Sequence, residues 1–258
     1  MDTKIAVAAP LILGLIPVLA FTQVRAQPHT TSYYDSSSNG VITQFVDGGY
    51  WKTIVTLVNL EVLPSSYTLK FYGDDGKPLQ FQTTDGTGTS ITGTLPSYGS
   101  HVIETSGTNP ASTQGWALLQ TNSRTIGGTV IFRQNVPGRN DYEASLPITA
   151  YYCDKRQMVP FEETTLSAGI GLVNTSSYQD LVVYVTLRGE DGKDFFEDNF
   201  TLKAYQHMAF RLRDRYPQVT GQRGVVEFGT TGSGLCVLGL RFGPNSFTSI
   251  MPLSSLNW

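Results

Sequence analysis

The sequence predicts an all-β protein in which an antiparallel β-sandwich is made twice, in tandem. Three observations predict it. The first is a repeat. Residues 54–79 read IVTLVNLEVLPSSYTLKFYGDDGKPL, and residues 169–195 read GIGLVNTSSYQDLVVYVTLRGEDGKDF. Each has an apolar run ending in Leu-Val-Asn, a polar link, an alternating strand and an acidic-Asp-Gly-Lys turn; such self-similarity sets the number of structural units. The second is alternation. Tyr67, Leu69 and Phe71 share one parity, and Val183, Val185 and Leu187 share it at the matching positions, so each strand has one apolar face. The third is punctuation. Asp47-Gly48-Gly49, Pro64-Ser65-Ser66, Asp75-Gly76, Pro96-Ser97, Gly107-Thr108-Asn109-Pro110, Gly127-Gly128 and Pro137-Gly138 recur at strand spacing. No segment sustains a helical i, i+3, i+4, i+7 pattern, and short alternating strands between frequent turns predict a sandwich.

The elements follow in order. Residues 1–26 read as a signal peptide: Lys4 in a short polar start, an apolar run from Ile5 to Phe21 broken by Pro10, Gly14 and Pro17, and a cleavage site at Ala26. That run is short beside the roughly 20 residues of a spanning helix; the alternative is an uncleaved anchor. Residues 27–40, QPHTTSYYDSSSNG, have no periodicity and read as a flexible leader. The first sandwich takes residues 41–150, a connector residues 151–156, and the second sandwich residues 157–258. Each is long enough to bury its own core. The first carries an insertion of about nine residues near Gln82–Ser90. Arg213 to Pro217 reads as one helical turn between strands.

Parity sorts the aromatics. Val55 and Leu57 match Ile170 and Leu172, and Trp51 shares their inward parity. Ala117 and Leu119 match Val226 and Phe228. Trp116 then falls with Val225 and Glu227, and Glu227 marks that side as outward. Tyr72 and Tyr184 fall on outward parities too. Trp116, Tyr72 and Tyr184 are therefore the candidate binding residues, since an exposed aromatic platform stacks on the apolar face of a sugar ring. The competing reading is that these aromatics cover one module against the other.

Removing residues 1–26 takes Asp2, Lys4 and Arg25, so 18 basic groups become 16, 21 acidic groups become 20, and the net charge is −4. That balance argues against nucleic acid, which needs a concentrated basic face. No later stretch is apolar enough to span a bilayer as a helix. An outer-membrane barrel needs about ten alternating residues per strand, and the last nine residues do not keep such a pattern.

Phe45-Val46-Asp47-Gly48-Gly49-Tyr50-Trp51, Leu57-Val58-Asn59, Asp75-Gly76-Lys77-Pro78-Leu79, Phe132 to Arg139 and Tyr142-Glu143-Ala144-Ser145 together carry a resemblance. By them the sequence resembles a group of secreted bacterial proteins common in soil lineages such as acidobacteria. Asp214-Arg215-Tyr216-Pro217, Gly224 to Phe228 and Leu238 to Phe242 match the closing half. The resemblance covers about residues 41–253 and implies tandem immunoglobulin-like modules outside the cytoplasm. It implies no catalytic residue.

Candidate chemistry is sparse. Glu190, Asp191 and Asp194 are the better of two acidic clusters for calcium, yet their spacing departs from the known loop, Lys193 intrudes, and Asp-Gly between strands is a hairpin turn. His29, His101 and His207 show no metal-ligand spacing, and no Gly-x-Ser-x-Gly motif occurs. Glu162 and Glu163 are neighbours on an extended segment and face opposite ways. Arg139, Asp141 and Glu143 form either an anion site or a local ion pair. Cys153 and Cys236 either pair, which would stabilise by about 4–5 kcal/mol in the chain-entropy account, or stay a buried and an exposed thiol. The expectation is a secreted, non-catalytic protein of adhesion, surface assembly or ligand display, without a cofactor, whose partner is a polysaccharide or another extracellular protein. A carbohydrate-binding accessory protein is the alternative, and a sandwich-fold hydrolase comes third.

Overall fold

Period-two alternation becomes strand throughout the computed structural model, which describes residues 39–122, 125–150 and 153–254. The expected signal segment, His29 and residues 27–38 of the leader lie outside the described residues. Asn39 and Gly40, assigned to the leader from sequence, already belong to the first strand.

The first half contains β1 (Asn39–Asp47), β2 (Trp51–Asn59), β3 (Ser65–Gly73), β4 (Phe81–Thr83), β5 (Gly86–Gly88), β6 (Ser90–Leu95), β7 (Ser100–Glu104), β8 (Thr113–Thr121), β9 (Ile126–Gln134), β10 (Tyr142–Pro147) and β11 (Thr149–Ala150). The second contains β12 (Arg156–Glu162), β13 (Ser167–Asn174), β14 (Leu181–Gly189), β15 (Asp194–Leu202), β16 (His207–Arg211), the helical turn α1 (Leu212–Arg215), β17 (Arg223–Thr230), β18 (Leu235–Gly243), β19 (Ser246–Ile250) and β20 (Leu253–Ser254). The helical turn expected near Arg213 is α1. Among the described residues no helix is long and apolar enough to cross a membrane.

Among the described residues strand pairing is antiparallel and stays within each half. The first half has sheets ordered β11-β1-β8-β3-β6 and β10-β9-β2-β7; the second has β20-β12-β17-β14-β15 and β19-β18-β13-β16. Matching each strand to its repeat partner makes the two orders identical. The β4–β5 hairpin stands outside this plan and is the insertion expected near Gln82–Ser90. Both Asp-Gly-Lys segments are turns. Gly76 and Gly192 take φ of 78° and 77°, which glycine adopts without a Cβ clash. Asp75 Oδ1 accepts the Lys77 N–H, and Asp191 Oδ1 accepts the Lys193 N–H.

The expected parities hold. Leu57, Leu69, Phe71 and Leu119 fill the interior of the first half, with Phe45 edge-on to Phe81. Leu172, Val183, Val185, Leu187 and Phe228 fill the second. Trp51 is partly buried against the first core and meets Phe247 of the second half edge-on, 5.3 Å between ring centres.

The halves also pack on each other, through unlike faces. Val41, Tyr72, Trp116 and Leu118, on the outer side of the first half's five-stranded sheet, cluster with Val173 and Cys236, on the outer side of the second half's four-stranded sheet. Cys153 and Cys236 are disulfide-bonded with 5.1 Å between their Cα atoms, a span typical of the bond. The bond ties the connector to β18 beside this cluster.

Candidate binding cleft

The expected aromatic platform does not form. Trp116 is 0% exposed and Tyr72 9%. Their rings stack at 4.8 Å, and Tyr205 of the second half closes on both, at 4.7 Å from Tyr72 and 5.5 Å from Trp116. The Trp116 indole N–H donates to the Tyr205 carbonyl at 2.8 Å. Trp116 and Tyr72 do face away from their own sandwich interior. That outward face is the one the second half covers, so the competing reading holds for both. Of the three, Tyr184 stays in water, 50% exposed.

In the acidic run after Gly189 the Asp191 and Asp194 carboxylates are paired with cations. Asp191 pairs with Lys193 at 3.3 Å and Asp194 with Arg188 at 2.6 Å, so cations occupy the carboxylates a metal would need. Among the described residues no group of three or more His, Cys, Asp or Glu side chains, Glu190 included, is arranged to hold a metal ion.

The remaining candidates have partners within the fold. His101 Nε2 lies 2.6 Å from Asp85 Oδ2 and fastens the β4–β5 hairpin. His207 is buried, with Nδ1 at 2.6 Å from Asp74 and Nε2 at 3.0 Å from Gln44, both in the first half. Burial of Asp74 opposes its ionisation, but hydrogen bonds from His207 and Gln114 hold its carboxyl below the usual range. Glu143 pairs with Arg133 at 2.6 Å, whereas Arg139 bonds the Tyr142 hydroxyl and Asn245; the expected pairing within Arg139, Asp141 and Glu143 is corrected accordingly. Glu163 is buried and pairs with Arg213 at 2.5 Å. Glu162 accepts hydrogen bonds from Thr164 and Thr165, which lower its pKa to about 2.

A cleft of about 470 Å³ at the β1–β2 end of the first half was not foreseen. The Gly48 and Trp51 backbones exchange two hydrogen bonds at 2.9 Å, closing a two-residue loop over Gly49 and Tyr50. Both loop residues have positive φ, 57° and 76°, the pattern of a type I′ turn. That turn favours glycine at its second central position, where Tyr50 stands. A bulky residue held there costs about 1–3 kcal/mol. Tyr50 is 63% exposed, so little packing offsets that cost.

The far wall is the segment after β7. Asp47, 1% exposed, accepts the Gly107 N–H at 2.6 Å and the Asn109 amide at 3.0 Å. A Cβ on Gly48 would lie 2.5 Å from the Ala111 carbonyl, so glycine lets this wall sit directly on the turn. The near wall comes from β9 and the loop after it. Asn135 donates its backbone N–H to the Tyr50 carbonyl at 2.8 Å and its side-chain amide to Asp141 at 2.9 Å. Lys52 and Arg133 complete the lining, paired with Glu104 at 2.5 Å and Glu143 at 2.6 Å. The one sequence signal for this site was a tyrosine directly after the Gly48-Gly49 turn.

Compared with known proteins, the chain matches no family model and no curated protein.

Proposed function

We propose that this chain is a secreted, non-catalytic β-sandwich protein of adhesion, surface assembly or ligand display, built as two tandem immunoglobulin-like sandwiches behind a cleaved signal peptide. The observation that carries the reading is the fixing of one half on the other. The Tyr72–Trp116–Tyr205 cluster, the His207 bridge to Asp74 and Gln44, and the Cys153–Cys236 bond act together. Loops at the outer end are thereby held as one surface rather than on a swinging module. A disulfide fits an oxidising compartment. What supports the immunoglobulin-like description is that β2 pairs with β7 and β3 with β8, the second with the fifth and the third with the sixth main strand. The first and seventh strands are exchanged, since β1 joins β8 and β9 joins β2.

The test is export and attachment. Full-length protein made in a secreting bacterial host should leave the cytoplasm, begin at Gln27 by N-terminal sequencing, and sediment with envelope or extracellular material. Protein that keeps residues 1–26 in the cytoplasm, or is exported and never sediments, would sink the proposal. Polysaccharide recognition is the specific alternative, favoured by Tyr50 standing exposed over a polar cleft.

A further inference from the structure

We infer that the cleft beneath Tyr50 is a binding site for an uncharged hexopyranosyl chain. The inference rests on the ligand-display reading and gives it a ligand class. It starts from a residue that the fold does not need. Glycine at position 50 would fit the positive φ without strain, yet the chain carries a tyrosine and leaves its ring in water. Among the described residues no aromatic partner packs on that ring. The second half makes the equivalent connection with Glu163 buried on Arg213 and presents no aromatic there. The exposed ring is thus an addition to the scaffold.

What lies around the ring suits a sugar. Asn109 and Asn135 each use their side-chain N–H on Asp47 and Asp141, which orients both amides. Their side-chain carbonyl oxygens accept no hydrogen bond among the described residues. Planar amide, carboxylate and guanidinium groups on two walls can take the rim hydroxyls of a ring whose apolar face stacks on Tyr50. The cleft, about 470 Å³, lies within the roughly 300–1,000 Å³ of small-molecule sites.

Charge narrows the class. Lys52 is held by Glu104, and Arg133 by Glu143 with Asp141 at 3.9 Å. No cation in the lining is left without a carboxylate, so a uronate or sulfate would have to break a pair. A neutral sugar breaks none, and its binding should respond little to salt.

Calorimetric titration of the exported protein with gluco-, manno- and galacto-oligosaccharides, and with oligogalacturonate as the acidic arm, tests this at low and high salt. The expected result is saturable binding of at least one neutral oligosaccharide, nearly unchanged by salt. Tyr50→Gly should weaken it by about tenfold or more, Tyr50→Phe should retain it, and the glycine variant should melt no lower than wild type. Asn135→Ala is the second variant and should weaken binding without moving the melting temperature. No saturable binding of any neutral sugar, binding of the acidic oligosaccharide alone, or undiminished binding by both Tyr50→Gly and Asn135→Ala would overturn the inference. If sedimentation with envelope material persists in Tyr50→Gly while sugar binding is absent, the ligand class falls and the display function stands.

Discussion

The five-stranded sheets of the two halves share a strand order and a register, yet their outer faces meet opposite fates. At matched positions the first half carries Val41, Tyr72, Trp116 and Leu118, and the second carries Met158, Arg188, Val225 and Glu227. The first set is buried under the other half. In the second, buried Glu227 is answered by Arg156 at 2.7 Å and Arg188 at 3.4 Å, a charged network in place of an apolar cluster. The inner positions did not diverge in kind: Ala117 and Leu119 match Val226 and Phe228, all four buried. A sandwich interior constrains its residues in every copy of the fold. An outer face is constrained only by what lies on it, so divergence there decides which face becomes an interface.

The comparison can be broken most severely at Leu118. Leu118→Glu places in the first half the residue that the second carries, but Asn39 and Tyr72 stand where Arg156 and Arg188 would answer it. Burying that lone carboxylate should cost about 3–5 kcal/mol, read as a lower urea midpoint; wild-type stability would mean that the face is not closed. Replacing both cysteines by serine should cost about 2–4 kcal/mol, measured the same way under oxidising conditions.

Asp74→Asn comes next, at about 1–3 kcal/mol near neutral pH, because it removes the charged partner of buried His207. The sign with pH follows from Asp74 being held below its ordinary 3.8. Its contribution is complete above that value and is lost as pH falls through the depressed folded value. Glu162, lowered to about 2 from 4.5, acts in the same direction. Wild type should therefore lose stability toward pH 2, and Asp74→Asn should lose less over the same range in acid-titrated denaturation. The smallest effect belongs to the open face. Arg188→Ala should shift stability by about 1 kcal/mol, because its partner Asp194 is exposed and buried Glu227 keeps its closer partner Arg156. A larger loss would show that the second half's outer face is as much a part of the fold as the first's.

Much of the scaffold was readable in the chain, and little of the site. Strand parity in β3 and β14, the two Asp-Gly-Lys hairpins, the α1 turn and the β4–β5 insertion all depend on residues within a few positions of one another. Two copies of the pattern fixed which parity is apolar. Parity also put Trp116 and Tyr72 correctly on an outer face. It could not say whether water or the second half lay on that face, because the answer rests on Tyr205 and Val173, far along the chain. The Cys153–Cys236 pairing is of the same kind.

The cleft shows the limit most clearly. The positive φ of Tyr50 is a local consequence of a two-residue turn and was within reach of the sequence. The wall opposite it is ordered by Asp47 reaching residues 107 and 109, and the near wall by Asn135 reaching Tyr50 and Asp141. By itself, then, the sequence determined the repeated unit, its inward faces and its turns, since these follow from short-range alternation and turn chemistry. Tertiary structure alone decided which outer face is buried, which cysteines meet and which polar groups converge on Tyr50. Those outcomes depend on distances between residues that no local pattern relates.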